Sequence, residues 1–129
     1  MSTLNSHIFN TVAGRDYLSL FQGSTPKYQG IVQFLEFKKE DVAKATGVPV
    51  SSVRYDDKIS IELRDRLREW ANLFNLVAEY FQGDGKKTVL WFTTPNPLLG
   101  NLPPRDMIRL GRYKKLFKFI FNALTENKQ

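Results

Sequence analysis

Residues 91–111 read WFTTPNPLLGNLPPRDMIRLG, and this stretch decides how the second half of the chain folds. It places four prolines between two apolar segments of helical spacing. Pro95 and Pro97 have no amide donor and favour an extended backbone in the residue before them, so a helix that carries Trp91 should end near Thr94. The spacing of Trp91 with its apolar neighbours predicts a core side chain.

The second part of this stretch predicts a short helix between two turns. Gly100 can adopt the left-handed backbone that a tight turn requires. Pro103 and Pro104 suit the first turn of a helix, and Asp106 places a negative charge at the positive end of that helix. Gly111 should end it, since glycine is the usual residue after a helix C-terminus.

A long helix is predicted upstream. Ser60 is a suitable N-cap. The apolar residues that follow recur at steps of three and four, and they are Leu63, Leu67, Trp70, Phe74, Val77 and Phe81. A helix of about 22 residues would be about 33 Å long and could connect both halves of the molecule. It should end at Gly83, after which Asp84 can cap the next helix.

Two of the predicted helices have a second apolar face. On the long helix this face consists of Leu73, Leu76 and Tyr80, and on the last helix, which begins near Tyr113, it includes Leu116 and Phe119. A helix that is apolar on two faces must bury both of them, either in a bundle or against a second subunit. We therefore predict a homodimer.

Residues 28–58 predict three short helices in the layout of a helix-turn-helix. The first helix would carry Ile31, the second would span residues 38–46, and Gly47 would begin the turn into a short third helix. In such a unit the third helix enters the major groove of DNA. The side chains predicted to contact DNA are Lys44, Ser51, Ser52, Arg54 and Tyr55.

The charge of this unit leaves an alternative open. Residues 28–58 contain five basic and five acidic side chains, and Asp56 and Asp57 would lie beside the phosphates. Phosphate contacts usually supply most of the affinity for DNA, so a neutral unit should bind weakly by itself. The unit could instead serve only as a scaffold or as a dimer element.

The N-terminal residues 1–27 predict a helical extension. Leu4, Ile8, Phe9 and Val12 lie at helical spacing, and a second apolar cluster spans residues 17–21. Residues 23–26 read GSTP, which is typical of a loop.

The composition limits the classes of protein to which the chain can belong. A chain of 129 residues with 42% hydrophobic residues can bury the core of one compact domain or of two small ones that share a core. It has no cysteine, which excludes disulfides and thiolate metal sites, and it has only one histidine, His7. We find no catalytic nucleophile paired with a base, no phosphate-binding glycine loop and no metal-ligand cluster, so we expect no enzyme activity, metal or cofactor. No signal peptide or membrane span is evident, and a cytoplasmic location is expected.

Basic charge is concentrated near the C-terminus. The net charge is +6, and residues 105–129 carry seven basic side chains against two acidic ones. The basic residues are Arg105, Arg109, Arg112, Lys114, Lys115, Lys118 and Lys128. This distribution favours an acidic partner, either nucleic acid or a protein surface. A solvated helix face is the alternative.

The residues of the proline-rich stretch also carry a family resemblance. The order Trp-Phe, Pro-Asn, Leu-Gly, Pro103, Asp106-Met107-Ile108 and Gly111, with its spacing, resembles the toxin-binding domain of the Xre/MbcA/ParS antitoxin family. The resemblance covers roughly residues 60–125 and, with the helix-turn-helix, extends from residue 28. It implies an all-helical dimer that binds its own operator and neutralises a toxin, commonly a RES-domain enzyme that consumes NAD. Where relatives carry basic residues after the third helix, this chain has Asp56-Asp57-Lys58.

We therefore predict an all-α fold in which a helix-turn-helix unit packs on a small helical toxin-binding domain. The predicted regions are the extension 1–27, the helix-turn-helix 28–58 and the toxin-binding domain 59–129. The residues predicted to contact a toxin are Asn96, Asn101, Arg105, Arg109, Arg112 and Lys115. Two functions stay open: an antitoxin that represses its own operon, and a protein-binding module that has lost DNA recognition.

Overall fold

A computed structural model of the chain describes residues 15–127. These residues are mostly helical, which confirms the predicted all-α class. The elements are β1 (Phe21–Gln22), β2 (Thr25–Pro26), α1 (Tyr28–Phe34), α2 (Lys39–Thr46), α3 (Ile61–Tyr80), α4 (Gly85–Thr93), α5 (Pro104–Arg109) and α6 (Tyr113–Asn127). Two single 3-10 turns, Val50–Ser52 and Pro97–Leu99, interrupt the loops.

Helix α3 is the centre of the fold, as its apolar spacing predicted. Its N-cap is Ser60, whose hydroxyl oxygen accepts a hydrogen bond from the amide of Leu63 at 3.2 Å. Phe74 is fully buried and lies between Phe34 of α1 and Phe92 of α4, with ring centroids 5.2 and 5.1 Å apart. Burial of each such side chain contributes roughly 1.5–3 kcal/mol to folding. The two halves of the chain therefore share one core.

The proline-rich stretch folds as predicted. Helix α4 begins after Asp84, whose carboxylate accepts a hydrogen bond from the amide of Lys87, and it ends at an extended Thr94. Gly100 and Gly111 both have left-handed backbones, with φ of 70° and 78°. Helix α5 starts at Pro104, where a missing amide costs no hydrogen bond.

The predicted third helix of the helix-turn-helix was wrong, although α1 and α2 confirm the first two. After Gly47 the chain makes only the 3-10 turn Val50–Ser52 and continues in an extended conformation at Val53. Valine and serine are weak helix formers, and Asp56 would oppose the dipole at the C-terminal end of such a helix. Local propensity therefore disfavoured the helix that the layout suggested.

The helix predicted within residues 17–21 was also wrong. The strands β1 and β2 form a small antiparallel hairpin here. The carboxylate of Asp16 accepts hydrogen bonds from the amides of Leu20 and Phe21 at 2.8 Å, and the buried Asn75 donates to the same carboxylate at 3.0 Å. These tertiary contacts fix an irregular backbone. The apolar cluster predicted between Leu4 and Val12 lies outside the described residues.

Candidate partner-binding surface

The loop between α4 and α5 is held in one shape by its own hydrogen bonds. The side-chain oxygen of Asn96 accepts from the amide of Leu98 at 2.9 Å, and the backbone of Asn96 pairs with Leu102 in an isolated bridge. Asn101 has a left-handed backbone with φ of 65° and is exposed. Leu98 projects from the tip with 79% of its surface exposed. Of the two asparagines predicted to meet a toxin, Asn96 caps the turn and Asn101 faces solvent.

Arg105, which is predicted to contact a toxin, keeps 22% of its side chain exposed and packs against the end of α1. Its guanidinium donates to the carbonyl oxygens of Leu35 at 2.6 Å and Glu36 at 3.1 Å, and it lies 4.7 Å from the ring centre of Phe37. Glu36 has a left-handed backbone with φ of 56°, which turns the chain after α1. The cation thus meets carbonyl groups at the negative end of a helix. Arg105 joins α5 to the end of α1.

A basic edge follows, consisting of Arg109, Arg112 and Lys115. Arg109 forms an ion pair with Asp106 at 3.1 Å and keeps about a third of its side chain exposed. Arg112 in the turn after α5 and Lys115 in the first turn of α6 are exposed, and neither forms an ion pair with any residue between 15 and 127. The three residues thus lie at the end of α5, in the turn that follows it and in the first turn of α6.

The first turn of α6 is anchored through Tyr113. Its hydroxyl donates to the backbone carbonyl of Glu69 at 3.1 Å. Burial raises the pKa of Tyr113 far above its usual value, and the nearby carboxylate of Glu69 raises it further. Burial also raises the pKa of Glu69, which Arg66 partly offsets. This hydrogen bond ties the first turn of α6 to α3.

The structure does not bring the predicted DNA-binding residues onto one helix. Lys44 is exposed on α2, while Ser51 and Ser52 lie in the 3-10 turn. Arg54 donates two hydrogen bonds, at 2.7 and 2.6 Å, to the carboxylate of Asp56, and this contact lowers the pKa of that carboxyl group. The guanidinium that would contact a base thus forms an ion pair with Asp56 at the protein surface, where about half of each side chain is exposed.

Tyr55 is the remaining member of that predicted set. It is half-buried, and its hydroxyl has no hydrogen-bond partner within the described part of the chain. Burial raises the pKa of this hydroxyl.

Sequence reasoning missed an apolar groove beside the loop. The groove has a volume of about 190 Å³ and is lined by Val77, Tyr80, Phe81, Trp91, Asn96, Phe119, Ile120, Ala123 and Leu124. Trp91, predicted as core, is half-buried and forms part of a wall, and Tyr80 is 59% exposed. Helical spacing cannot distinguish a core position from a groove wall, because both face other helices.

Other kinds of site find no support in the residues described. Within residues 15–127, no group of three or more acidic or histidine side chains could hold a metal ion. No helix in the same range combines the length and the apolar character needed to cross a membrane.

Comparison with known proteins gives one distant relative. The chain is 26% identical over 74 residues to a protein named Antitoxin Xre from Yersinia enterocolitica serotype O:8 / biotype 1B. The alignment covers 54% of this chain and 50% of the relative, so the chain matches about half the length of that protein. No family model and no solved structure matches the chain.

Proposed function

We propose that this protein is an antitoxin that binds and neutralises a cognate toxin through the region from Asn96 to the C-terminus, with its contacts between Asn96 and Lys115. The observation that carries the proposal is the rigid loop that begins at Asn96 and leads directly into the exposed basic edge of Arg109, Arg112 and Lys115. A surface that is already ordered loses little conformational entropy on binding. The similarity to Antitoxin Xre supports the assignment as an antitoxin.

The partner proposed is a RES-domain toxin that consumes NAD. A cleft that handles a phosphate-bearing substrate must itself offer groups for phosphate. Basic side chains of the antitoxin are therefore better suited to acidic residues around that cleft than to its interior. In this proposal Asn101, Arg112 and Lys115 contact the rim of the cleft, while Arg105 holds the surface in place.

Repression of its own operon by DNA binding is the second part of the proposal. The extended backbone after Ser52 and the pairing of Arg54 with Asp56 favour the alternative, a protein-binding module with reduced DNA recognition. If DNA is bound, Lys44 and the basic edge would contact phosphates, and affinity would fall steeply with salt. A gel shift on the upstream operator, with Lys44→Ala and Arg54→Ala as variants, tests this part.

The homodimer also stays a prediction. Leu73 and Leu116 are buried within a single chain, so they no longer argue for a second subunit. Leu76, Tyr80 and Phe119 keep part of their surface exposed. Light scattering at tens of micromolar, about the range of a weak interface, would show whether these residues bring two copies together.

Co-expression tests the toxin proposal. The product of the adjacent reading frame is expressed alone and together with this chain in the same host. We expect that the chain restores growth and co-purifies with that product. Arg112→Glu with Lys115→Glu should reduce both effects, while Lys39→Glu with Lys58→Glu, the same charge change at exposed sites elsewhere, should leave both intact. If the variant Arg112→Glu with Lys115→Glu still restored growth fully, the neutralising surface would lie elsewhere on the chain.

A further inference from the structure

The groove between α3, α4 and α6 has apolar walls. None of the described residues that line it carries a charge, and Asn96 is the only amide side chain among them. Tyr80 at its edge is 59% exposed, in contrast to the fully buried Phe74 earlier on the same helix. A volume of about 190 Å³ is below the roughly 300–1,000 Å³ of typical small-molecule sites, so the groove suits one or two apolar side chains better than a cofactor.

The charges near the groove do not select a charged ligand. Lys87, Lys115 and Glu126 are exposed on the two helices that form its walls with α3, and they are of both signs. None of the three belongs to the lining. The lining itself therefore decides the chemistry of the ligand, which should be apolar and uncharged.

The described part of the chain begins beside the end of α3 that forms one wall of the groove. The amide of Leu18 donates to Oδ1 of the buried Asn75 at 3.0 Å. Cδ1 of Tyr17 would lie 3.2 Å from a Cβ atom added at Gly83, just after α3. The residues of α3 and its C-cap that line the groove are Val77, Tyr80 and Phe81.

Residues 1–14 precede this point and are long enough to reach the groove. Asn75 and Val77 face opposite sides of α3, because residues two apart on a helix are about 200° apart, so the chain must pass round the end of the helix. An α-helix is about 10–12 Å across, and four extended residues span up to about 14 Å. Residues 11–14 therefore suffice for the crossing, which leaves residues 4–9 to enter the groove.

Residues 4–9 match the groove in their chemistry. They read LNSHIF. Leu4 and Ile8 are four apart, which is the spacing of one helix face, and Phe9 adjoins Ile8. Residues 1–14 contain no Lys, Arg, Asp or Glu. Contact between these side chains and the groove would remove apolar surface of both from water.

We propose that residues 4–9 bind in the groove between α3, α4 and α6, with Ile8 and Phe9 as the side chains that fill it. A segment joined to its site by a few residues is present there at an effective concentration of about millimolar, which favours the same chain over a separate molecule. Since the groove ends at Asn96, the bound segment lies beside the loop that begins the proposed toxin surface. The inference goes beyond the proposed function and does not depend on it.

Quenching of Trp91 by acrylamide tests the inference in the full chain. The chain has two tryptophans, and Trp70 is only 2% exposed, so quenching reports mainly on the half-buried Trp91 of the groove wall. Ile8→Ser with Phe9→Ser should raise the quenching constant at least about twofold, because the indole loses its cover. The same variant should lower the melting temperature by at least about 3 °C.

A spin label shows where the segment lies. The chain has no cysteine, so Ser6→Cys gives a single attachment site, on the side of the segment away from Ile8. We expect the label to broaden the amide signals of Phe119 and Ala123, which line the groove. The signal of Ile61 should stay sharp, since the first residue of α3 is about 28 Å from the last.

Matched controls separate binding from mere attachment. Asn5→Ser with Asn10→Ser changes two polar positions of the same segment and should leave quenching, melting temperature and broadening unchanged. Tyr80→Ser, at the edge of the groove, should reduce the broadening. Leu98→Ser should not reduce it, since Leu98 is more exposed than Tyr80 but does not line the groove.

Several outcomes would overturn the inference. Unchanged quenching and melting in Ile8→Ser with Phe9→Ser would do so. Broadening of Phe119 that survives this variant would mean that the segment is only tethered nearby. Broadening that appears only between a spin-labelled chain and a separate isotope-labelled chain would assign the groove to a second copy. If Tyr80→Ser weakens the toxin complex while the label broadens no groove signal, the groove binds the toxin instead.

Discussion

The turn after α2 and the turn after α5 contain similar residues but present different surfaces. Each begins with a glycine in the left-handed conformation, Gly47 with φ of 80° and Gly111 with φ of 78°, and each is followed by basic side chains. After Gly47 the chain forms only a 3-10 turn, and Arg54 is bound by Asp56. After Gly111 the chain enters the 15-residue helix α6, and Arg112 stays exposed and unpaired among the described residues.

This difference shows that a basic side chain can attract a partner only where it is exposed and not already paired with a carboxylate. The two turns lie close together. A Cβ atom added at Gly111 would lie 3.9 Å from the backbone carbonyl oxygen of Ala45, near the end of α2. A partner that approaches this side therefore meets Arg54, which pairs with Asp56, after the turn that follows α2. After the turn that follows α5 it meets basic side chains that form no ion pair within residues 15–127. The unpaired cations, Arg112 in the turn after α5 and Lys115 on α6, are where a partner can gain binding energy.

The largest expected effect comes from the core that joins the two regions. Phe74→Ala removes the ring between Phe34 and Phe92 and should lower the free energy of unfolding by roughly 3–5 kcal/mol. Urea denaturation followed by circular dichroism measures this change. Leu98→Ala is the control, because a side chain that is 79% exposed should change stability by less than about 0.5 kcal/mol. Equal effects would contradict a shared core centred on Phe74.

Arg105 provides the second test, at the contact between α5 and the end of α1. Arg105→Met keeps most of the apolar stem but leaves the carbonyls of Leu35 and Glu36 without their donor. We expect a loss of roughly 1–3 kcal/mol in the free energy of unfolding. Arg105→Lys should recover part of it, since an ammonium can donate but cannot form the same fork. No change in Arg105→Met would mean that the guanidinium does not join the two regions.

These two residues also illustrate what the sequence could establish. The position of Phe74 followed from helical spacing, and the ends of α4 and α5 followed from proline, glycine and capping residues, because each of these preferences is local. The inward direction of Arg105 depends on carbonyl groups some 70 positions earlier in the chain. The groove wall at Trp91 depends on where α6 packs. Neither arrangement leaves a local signal.

A smaller effect should come from Asn96, which caps the 3-10 turn of the loop. Asn96→Ala removes the acceptor for the amide of Leu98 and should cost about 1 kcal/mol of stability. Asn101→Gly is the control for stability and should leave that cap intact, because glycine also adopts the left-handed backbone of this exposed position. If toxin binding is weakened by Asn96→Ala at a temperature where the variant is folded, the rigid shape of the loop contributes to binding. Unchanged toxin binding would mean that Asn96 contributes only to the stability of the fold.

The smallest expected effect concerns Asp56 and pH. Arg54 lowers the pKa of this carboxyl in the folded state, so the pair stabilises the fold above the unfolded pKa. That stability is lost as pH falls through the lowered folded value. Asp56→Asn should therefore lower the melting temperature slightly at neutral pH and leave it unchanged in strong acid. Asp57→Asn is the control, and an equal shift in both variants would show that general charge, not this pair, is responsible.

The dissociation rate of the toxin complex tests the central claim most directly. Arg109→Glu, Arg112→Glu and Lys115→Glu are combined in one variant, and Lys39→Glu, Lys58→Glu and Arg64→Glu form a control with the same net charge. We expect the first variant to dissociate at least about tenfold faster than wild type, with an unchanged circular dichroism spectrum, and the control to match wild type. Because Arg109 also pairs with Asp106, the double variant Arg112→Glu, Lys115→Glu should show the same direction. A folded triple variant that dissociates as slowly as wild type would contradict the placement of the toxin-binding surface on the basic edge.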